Sequence, residues 1–243
     1  MRRRAPATPS HEARSTRDLI LDAAERRFAQ HGFSGVSVRE IAADAGLKNQ
    51  ASLYNHFRNK RALYEATLAR GLEPIVELIA ARDQKAMTTG LDRASLEAFL
   101  DRVLDYLQER PHLPRLIQRA GLDDSRFLRN AASRLLRPFY AQGMRVLEGS
   151  SASWEPAQLP QLAAGLYHLI FGYFANAGLL QVVVQGDPLS PVAVARHRRF
   201  LKTAVGQLLG VSRAGHRRAR VRRNGKGDDA TTSGARYRGS ATK

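Results

Sequence analysis

Between Val36 and Phe57 the sequence leaves the backbone little choice. Ser37-Val38-Arg39-Glu40 fits a capping box, with Ser37 as N-cap and Glu40 at the third helical position. Val36 and Ile41 occupy the two positions of a hydrophobic staple, which fixes how the chain enters the helix. That helix must be short, ending near Ala45, because Gly46 breaks it. Leu47 follows as an apolar plug, and a second short helix is expected from Asn49 or Gln50 to about Phe57. Asn59 can cap a further helix starting at Lys60. Two short helices across a glycine turn, behind a bracing helix, make a helix-turn-helix.

The bracing helix spans about residues 16–31. Ile20, Ala24 and Phe28 repeat at one helical face, Ser15 or Thr16 caps the start, and Gly32 suits the residue after the end. Beyond residue 60 the apolar pattern stays helical, and no alternating strand pattern survives inspection. The expected helices cover 60–82, 91–109, 112–121, 124–148, 157–185 and 190–210. Pro74 and Pro138 fall inside two of them and predict kinks or splits. The fold class is therefore all-α, with about nine helices: a three-helix helix-turn-helix unit and a larger helical domain. The expected divisions are a basic arm over 1–15, the helix-turn-helix over 16–64, the helical domain over 65–210 and a basic tail over 211–243. The tail has almost no apolar residues and reads as disordered, as does the arm.

The formal net charge is +17, and it sits mostly at the ends. Residues 1–17 carry five Arg against one Glu, and residues 211–243 carry ten Lys or Arg against two Asp. Polyanions are the natural partners of such segments. Arg far outnumbers Lys, which a GC-rich genome would also produce. There is no cysteine, so disulfides and thiolate metal sites are excluded. The first residues contain no apolar run, which argues against a secretory signal. Between Glu155 and Asp187 there is no charged residue, long enough for a membrane span of about 20 residues. Six Gln, Asn and His side chains interrupt it, and basic anchors are missing from its flanks, so a buried bundle helix is the better reading.

In the helix-turn-helix, Val38, Ile41, Ala42, Leu47, Leu53 and Phe57 form the hidden face. Lys48, Gln50, Ala51, Ser52, Tyr54, Asn55 and His56 are left outside. A helix entering the major groove needs short side chains for close approach and amides or hydroxyls for base edges. Phosphates need cations, hydroxyls and helix N-termini on either side. The exposed set supplies both, which makes double-stranded DNA the expected partner.

The segments ILDAAERRFAQHGFSGVSVREIAADAGL and SLYNHFRNKRALYEATL resemble the DNA-binding domain of the TetR-like family of bacterial transcription regulators. The resemblance covers residues 17–64, about a fifth of the chain, and includes Leu53-Tyr54-x-His56-Phe57-x-x-Lys60. It implies that Arg39 touches a phosphate or a guanine edge, that Tyr54 and His56 contact the backbone, and that Lys60 contacts a phosphate. Gln50, Ala51, Ser52 and Asn55 would face the bases, with Lys48 and Asn49 beside them. The loop from Gly46 to Leu53 is one residue longer than is usual in the family. The resemblance further implies a homodimer on a palindromic operator, a small-molecule effector and, most often in this family, repression. In that reading the protein is cytoplasmic and nucleoid-associated when bound. The alternative is an architectural or broadly specific DNA-binding protein without an effector.

The aromatic and polar residues that could line an effector pocket are Tyr106, His112, Phe127, Tyr140, His168, Phe171 and Asn176, with His168 and Asn176 preferred as polar handles in an apolar helix. The seven His are scattered with no pair at helical spacing, so no metal site is expected. No phosphate loop, nucleophile elbow or paired catalytic carboxylates occur, so neither a catalytic site nor a cofactor is expected.

Overall fold

The computed structural model describes residues 15–89, 92–122, 126–148 and 154–211. The basic arm before Ser15 and the tail after Val211 lie outside the described residues. The two residues at those boundaries belong to the fold. Ser15 caps the first helix, its Oγ accepting from Asp18 N at 3.1 Å, and Val211 is buried with its N–H donating to Gly206 O at 2.8 Å.

Eleven α-helical segments follow one another among the described residues, with no strand between them. They are α1 (Thr16–His31), α2 (Val38–Asp44), α3 (Ala51–Tyr54), α4 (Lys60–Thr89), α5 (Arg93–Glu109), α6 (Leu113–Leu122), α7 (Arg126–Glu148), α8 (Leu159–Tyr167), α9 (Tyr173–Ala175), α10 (Ala177–Val184) and α11 (Pro191–Leu208). The all-α expectation holds. The helix α1 packs on α2, α4 and α6, while α4 lies along α7 and α5 along α11. Ile20, Leu21, Ala24, Phe28, Ile41, Leu53 and Leu63 are completely buried, so the helix-turn-helix has its own apolar centre. Phe28, Phe33 and Tyr64 close it with edge contacts at 5.0 and 5.4 Å to the tyrosine ring.

Neither internal proline splits its helix. Pro74 has no N–H to donate to Arg70 O, and its ring crowds that carbonyl. The Tyr106 hydroxyl on α5 relieves this, donating to Gly71 O at 2.9 Å and lying 3.5 Å from Arg70 O. Gly71 is needed at the same place. A Cβ there would stand 2.3 Å from Leu113 Cδ1, so a larger residue would have to push the buried Leu113 side chain aside. The helix α4 therefore runs unbroken for 30 residues, past the expected end at 82. The helix α7 likewise continues through Pro138.

The uncharged stretch is not the single helix expected over 157–185. A 3-10 turn at Pro156–Gln158 leads into α8, a π-helical turn follows at His168–Gly172, and α9 ends at Asn176. Asn176 has φ −106° and ψ 22°, outside the helical range, and the chain turns 87° there before α10. The Asn176 side chain holds the corner, its Nδ2 donating to Gly172 O at 3.0 Å. Breaking one helix into α8, α9 and α10 is what raises the expected nine to eleven. No single helix among the described residues is long and apolar enough to cross a membrane.

Candidate nucleic-acid interface and ligand cavity

The capping box forms as the sequence dictates. Ser37 N donates to Glu40 Oε2 at 2.7 Å and Glu40 N to Ser37 Oγ at 3.2 Å. These bonds, together with the nearby charges of Arg27 and His31, outweigh the desolvation of Glu40 and hold its carboxyl below the usual range. The stapling pair Val36 and Ile41 is buried. At the turn, Gly46 takes φ 74°, and Leu47 N reaches back to Ala42 O at 2.9 Å. A bidentate pair from Arg27 to Asp44, at 2.5 and 2.8 Å, ties α1 to the end of α2.

These devices fix α3 in space with only Leu53 inward. Lys48, Asn49, Gln50, Ala51, Tyr54, Asn55 and His56 are exposed and Ser52 is half-buried, while Arg39 is exposed on α2. The helix is shorter than expected, ending at Tyr54, because Leu53 O is taken by the turn amides of His56 and Phe57 at 3.0 and 3.1 Å. Asn49 and Ser52 engage each other: Asn49 Oδ1 accepts from Ser52 N at 3.0 Å and Ser52 Oγ at 3.2 Å. That leaves the Asn49 amide nitrogen outward but commits its oxygen to the cap. Gln50, Asn55 and His56 carry no such internal bond among the described contacts.

Lys60 opens α4, whose first turn is capped by Asn59 Oδ1 accepting from Ala62 N at 2.9 Å. The Lys60 ammonium lies 4.5 Å from the centre of the Phe33 ring, and partial burial draws its pKa below the usual lysine value. On the other flank, the Arg17 guanidinium lies 5.1 Å over the Phe57 ring. Arg17 was not singled out from the sequence, although its place at the start of α1 beside Phe57 marks it as a second cation at this edge.

The expected pocket residues separate. Tyr140 and Phe171 line an apolar cavity of about 110 Å³ between α4, α5, α7, α8 and α11. Tyr167 and Arg82 line it too, and neither was foreseen. The Tyr106 hydroxyl is instead taken up by the Arg70 and Gly71 carbonyls that Pro74 leaves open. Its hydroxyl pKa is raised by burial. His112 sits half-buried at the start of α6, where burial lowers its pKa, and does not line the cavity. His168 is exposed on α8's continuation and stacks edge-on against Tyr167 at 5.3 Å, so it is not the polar handle expected. Asn176 lines a separate polar cleft with Gln118, Arg115 and His31, and Gln118 Nε2 donates to its Oδ1 at 3.2 Å. The Phe127 side chain lies outside the described residues.

An ion cluster joins the helix-turn-helix to the helices around the cavity. Glu25 on α1 is buried and is held by Arg110 at the end of α5 and, at 3.6 Å, by Arg70 on α4. Arg70 also pairs with Asp22 at 2.8 Å. Burial opposes the charge on Arg110, but the hydrogen bond and charge of Glu25 outweigh it and raise its pKa. Arg119 on α6 adds a bond to Gln30 O at 2.9 Å.

Residues 20–67 match the family model described as bacterial regulatory proteins, tetR family. Over that segment the chain is similar to the DNA-binding part of the TetR family. The chain is 37% identical over 122 residues to the HTH-type transcriptional repressor KstR2 of Mycolicibacterium smegmatis, covering 47% of this chain and 58% of that one. It is 28% identical over 114 residues to the HTH-type transcriptional repressor SCO4008 of Streptomyces coelicolor, covering 47% and 54%. The chain thus spans little more than half the length of these two relatives. With the probable HTH-type transcriptional regulator YttP of Bacillus subtilis it shares 27% identity over 179 residues, 73% of this chain and 86% of that one. The fold is also that of reduced NemR from Escherichia coli, at a TM-score of 0.56 and 21% identity, over 81% of this chain and 99% of that one.

Proposed function

We propose that this chain is a TetR-type regulator: a dimeric, sequence-specific DNA-binding transcriptional repressor that a small molecule releases from a palindromic operator. One observation carries the reading: α3 and the residues that cap it present Gln50, Tyr54, Asn55 and His56 to the outside on a scaffold fixed by a capping box, a glycine turn and a bidentate ion pair. In this reading Lys60, Arg39 and the capped start of α4 meet phosphates, and Gln50 and Asn55 meet base edges. Its relatives KstR2 and SCO4008 are named as HTH-type transcriptional repressors, which supports the sign of regulation.

A second copy of the chain explains the outer surface of the last helices. Gln161, Ala164, Gly165 and His168 make an exposed, uncharged stripe at helical spacing. Val192 and Phe200 on α11 are 62% and 55% exposed, which is unfavourable unless another apolar surface covers them. Selection of binding sites from random DNA tests the proposal. The expected result is a two-fold symmetric site with half-sites about one or two turns of ~34 Å apart, bound by a dimer in analytical ultracentrifugation. A monomer at micromolar concentration, or a selected pool without symmetry, overturns it. The basic segments at both ends favour the other reading, an architectural protein, and that reading expects no consensus at all.

A further inference from the structure

The apolar cavity contains one feature that an apolar ligand would not satisfy. Ile75, Ile79 and Arg82 reach it from α4 at helical spacing. The Arg82 side chain is only 6% exposed, and its Nε and Nη2 make no hydrogen bond among the described residues. These two nitrogens form one edge of the guanidinium, the pair that a carboxylate engages with two parallel bonds. The ring of Phe99, 5.0 Å from the guanidinium carbon, supplies attraction to its face but no acceptor at its edge. A buried guanidinium without acceptors is costly. Burial draws the Arg82 pKa down to about 10 despite the favourable charge of Asp92, which still leaves it cationic at neutral pH. The opposite wall is aromatic, with Tyr140, Tyr167 and Phe171. Tyr167 is pushed by burial to about 12, so its hydroxyl stays protonated and able to donate.

We infer that this cavity takes a compact organic anion, a carboxylate on an apolar body, with the carboxylate on the Arg82 edge and the body between α5, α7 and α8. The inference rests on reading the chain as an effector-responsive regulator, and it names the chemical class of the effector. The volume limits its size. A cavity of about 150 Å³ accommodates benzene, so about 110 Å³ limits the occupant to a short alkyl chain or to one ring that the walls shift to admit. The anion would anchor on α4, the helix whose other end begins at Lys60 on the proposed DNA-binding face.

The test compares charged and neutral ligands of one shape on the full chain, without DNA. Phenylacetate and hexanoate are titrated to millimolar concentration beside phenylacetamide and hexanamide, and thermal unfolding is followed. At least one carboxylate should raise Tm, by about 5–10 °C once it exceeds its Kd a hundredfold, and its amide should not. Arg82→Met should abolish the response while melting no lower than the unliganded parent, because it removes an unpaired buried charge. Equal shifts from carboxylate and amide, a response that survives Arg82→Met, or no shift from either carboxylate overturns the inference. Because DNA is absent, each of these results leaves the operator-binding proposal standing. An unselective wild-type protein in the DNA experiment would sink that proposal alone.

Discussion

Removing the Glu25 carboxylate should destabilise the protein markedly. Glu25 is 5% exposed and faces Arg110 and Arg70 at once, so Glu25→Ala leaves two cations facing a site with no counter-charge. Breaking a fully buried pair in this way costs about 3–5 kcal/mol. Both arginine side chains are about a fifth exposed, and Arg70 keeps Asp22, so the lower end, about 3 kcal/mol, is expected here. For a chain of this size that is a fall in Tm of roughly 6–12 °C. Glu25→Gln keeps an acceptor for Arg110 without the charge and should lose less. A double-mutant cycle of Glu25→Ala and Arg110→Ala in urea unfolding separates the pair from its surroundings. The expected coupling is above about 1 kcal/mol, with the double variant less damaged than the two losses added. A Glu25→Ala protein within about 0.5 kcal/mol of the parent would refute the reasoning, because it would mean water already satisfies these groups.

Gly71→Ala should destabilise by about 1–3 kcal/mol, since its Cβ would meet Leu113 Cδ1 at 2.3 Å in a buried site, and a neutral result in thermal unfolding would show that the Leu113 side chain repacks without strain. Lys60→Ala should weaken binding to all DNA about equally, whereas Asn55→Ala should also change base preference by about 1–3 kcal/mol of discrimination; site selection with each variant checks both. His197 stacks on Tyr173 at 3.7 Å, and burial lowers its pKa to about 4, below its ordinary unfolded value. The unfolded chain therefore binds the extra proton first, and stability should fall as pH drops from about 6.5 to about 4, by about 1–2 kcal/mol after allowing for solvent at the ring; His197→Phe should flatten that part of the profile. Deleting residues 212–243 should leave folding intact and reduce the salt slope of DNA binding by about 0.9 for each phosphate the tail neutralises; an unchanged slope would mean the tail does not touch DNA.

What was legible in the sequence follows from how local each signal is. The helix-turn-helix rests on caps, a glycine at positive φ and a staple, all set by neighbours within five residues, and Ser37, Glu40, Gly46 and Ile41 behave as expected. The run from 157 to 185 was misjudged because its breaks have no strong local mark. The π-helical turn, His168–Gly172, carries no proline and only one glycine, and Asn176 turns the chain through bonds to Gly172 and to Gln118, the latter 58 residues away in sequence. Pro74 was given too much weight for a similar reason: the hydroxyl that compensates it comes from Tyr106 on another helix. The same contact removed Tyr106 from the cavity. His168 was misplaced because an uncharged helix gives no clue to which face meets the core and which is left outside. Arg82 escaped notice since charge normally marks a solvated face, and only packing shows it buried.

The most direct measurement is the ratio of specific to non-specific DNA affinity at one salt concentration, using the selected site and a scrambled duplex of equal length. A regulator that reads bases through α3 should favour its site by about 10³ or more, and Asn55→Ala should reduce that ratio while leaving scrambled-duplex affinity nearly unchanged. A ratio near one for the wild-type protein, with strong salt-dependent binding to both duplexes, would contradict the account and leave a basic protein that binds DNA without reading it.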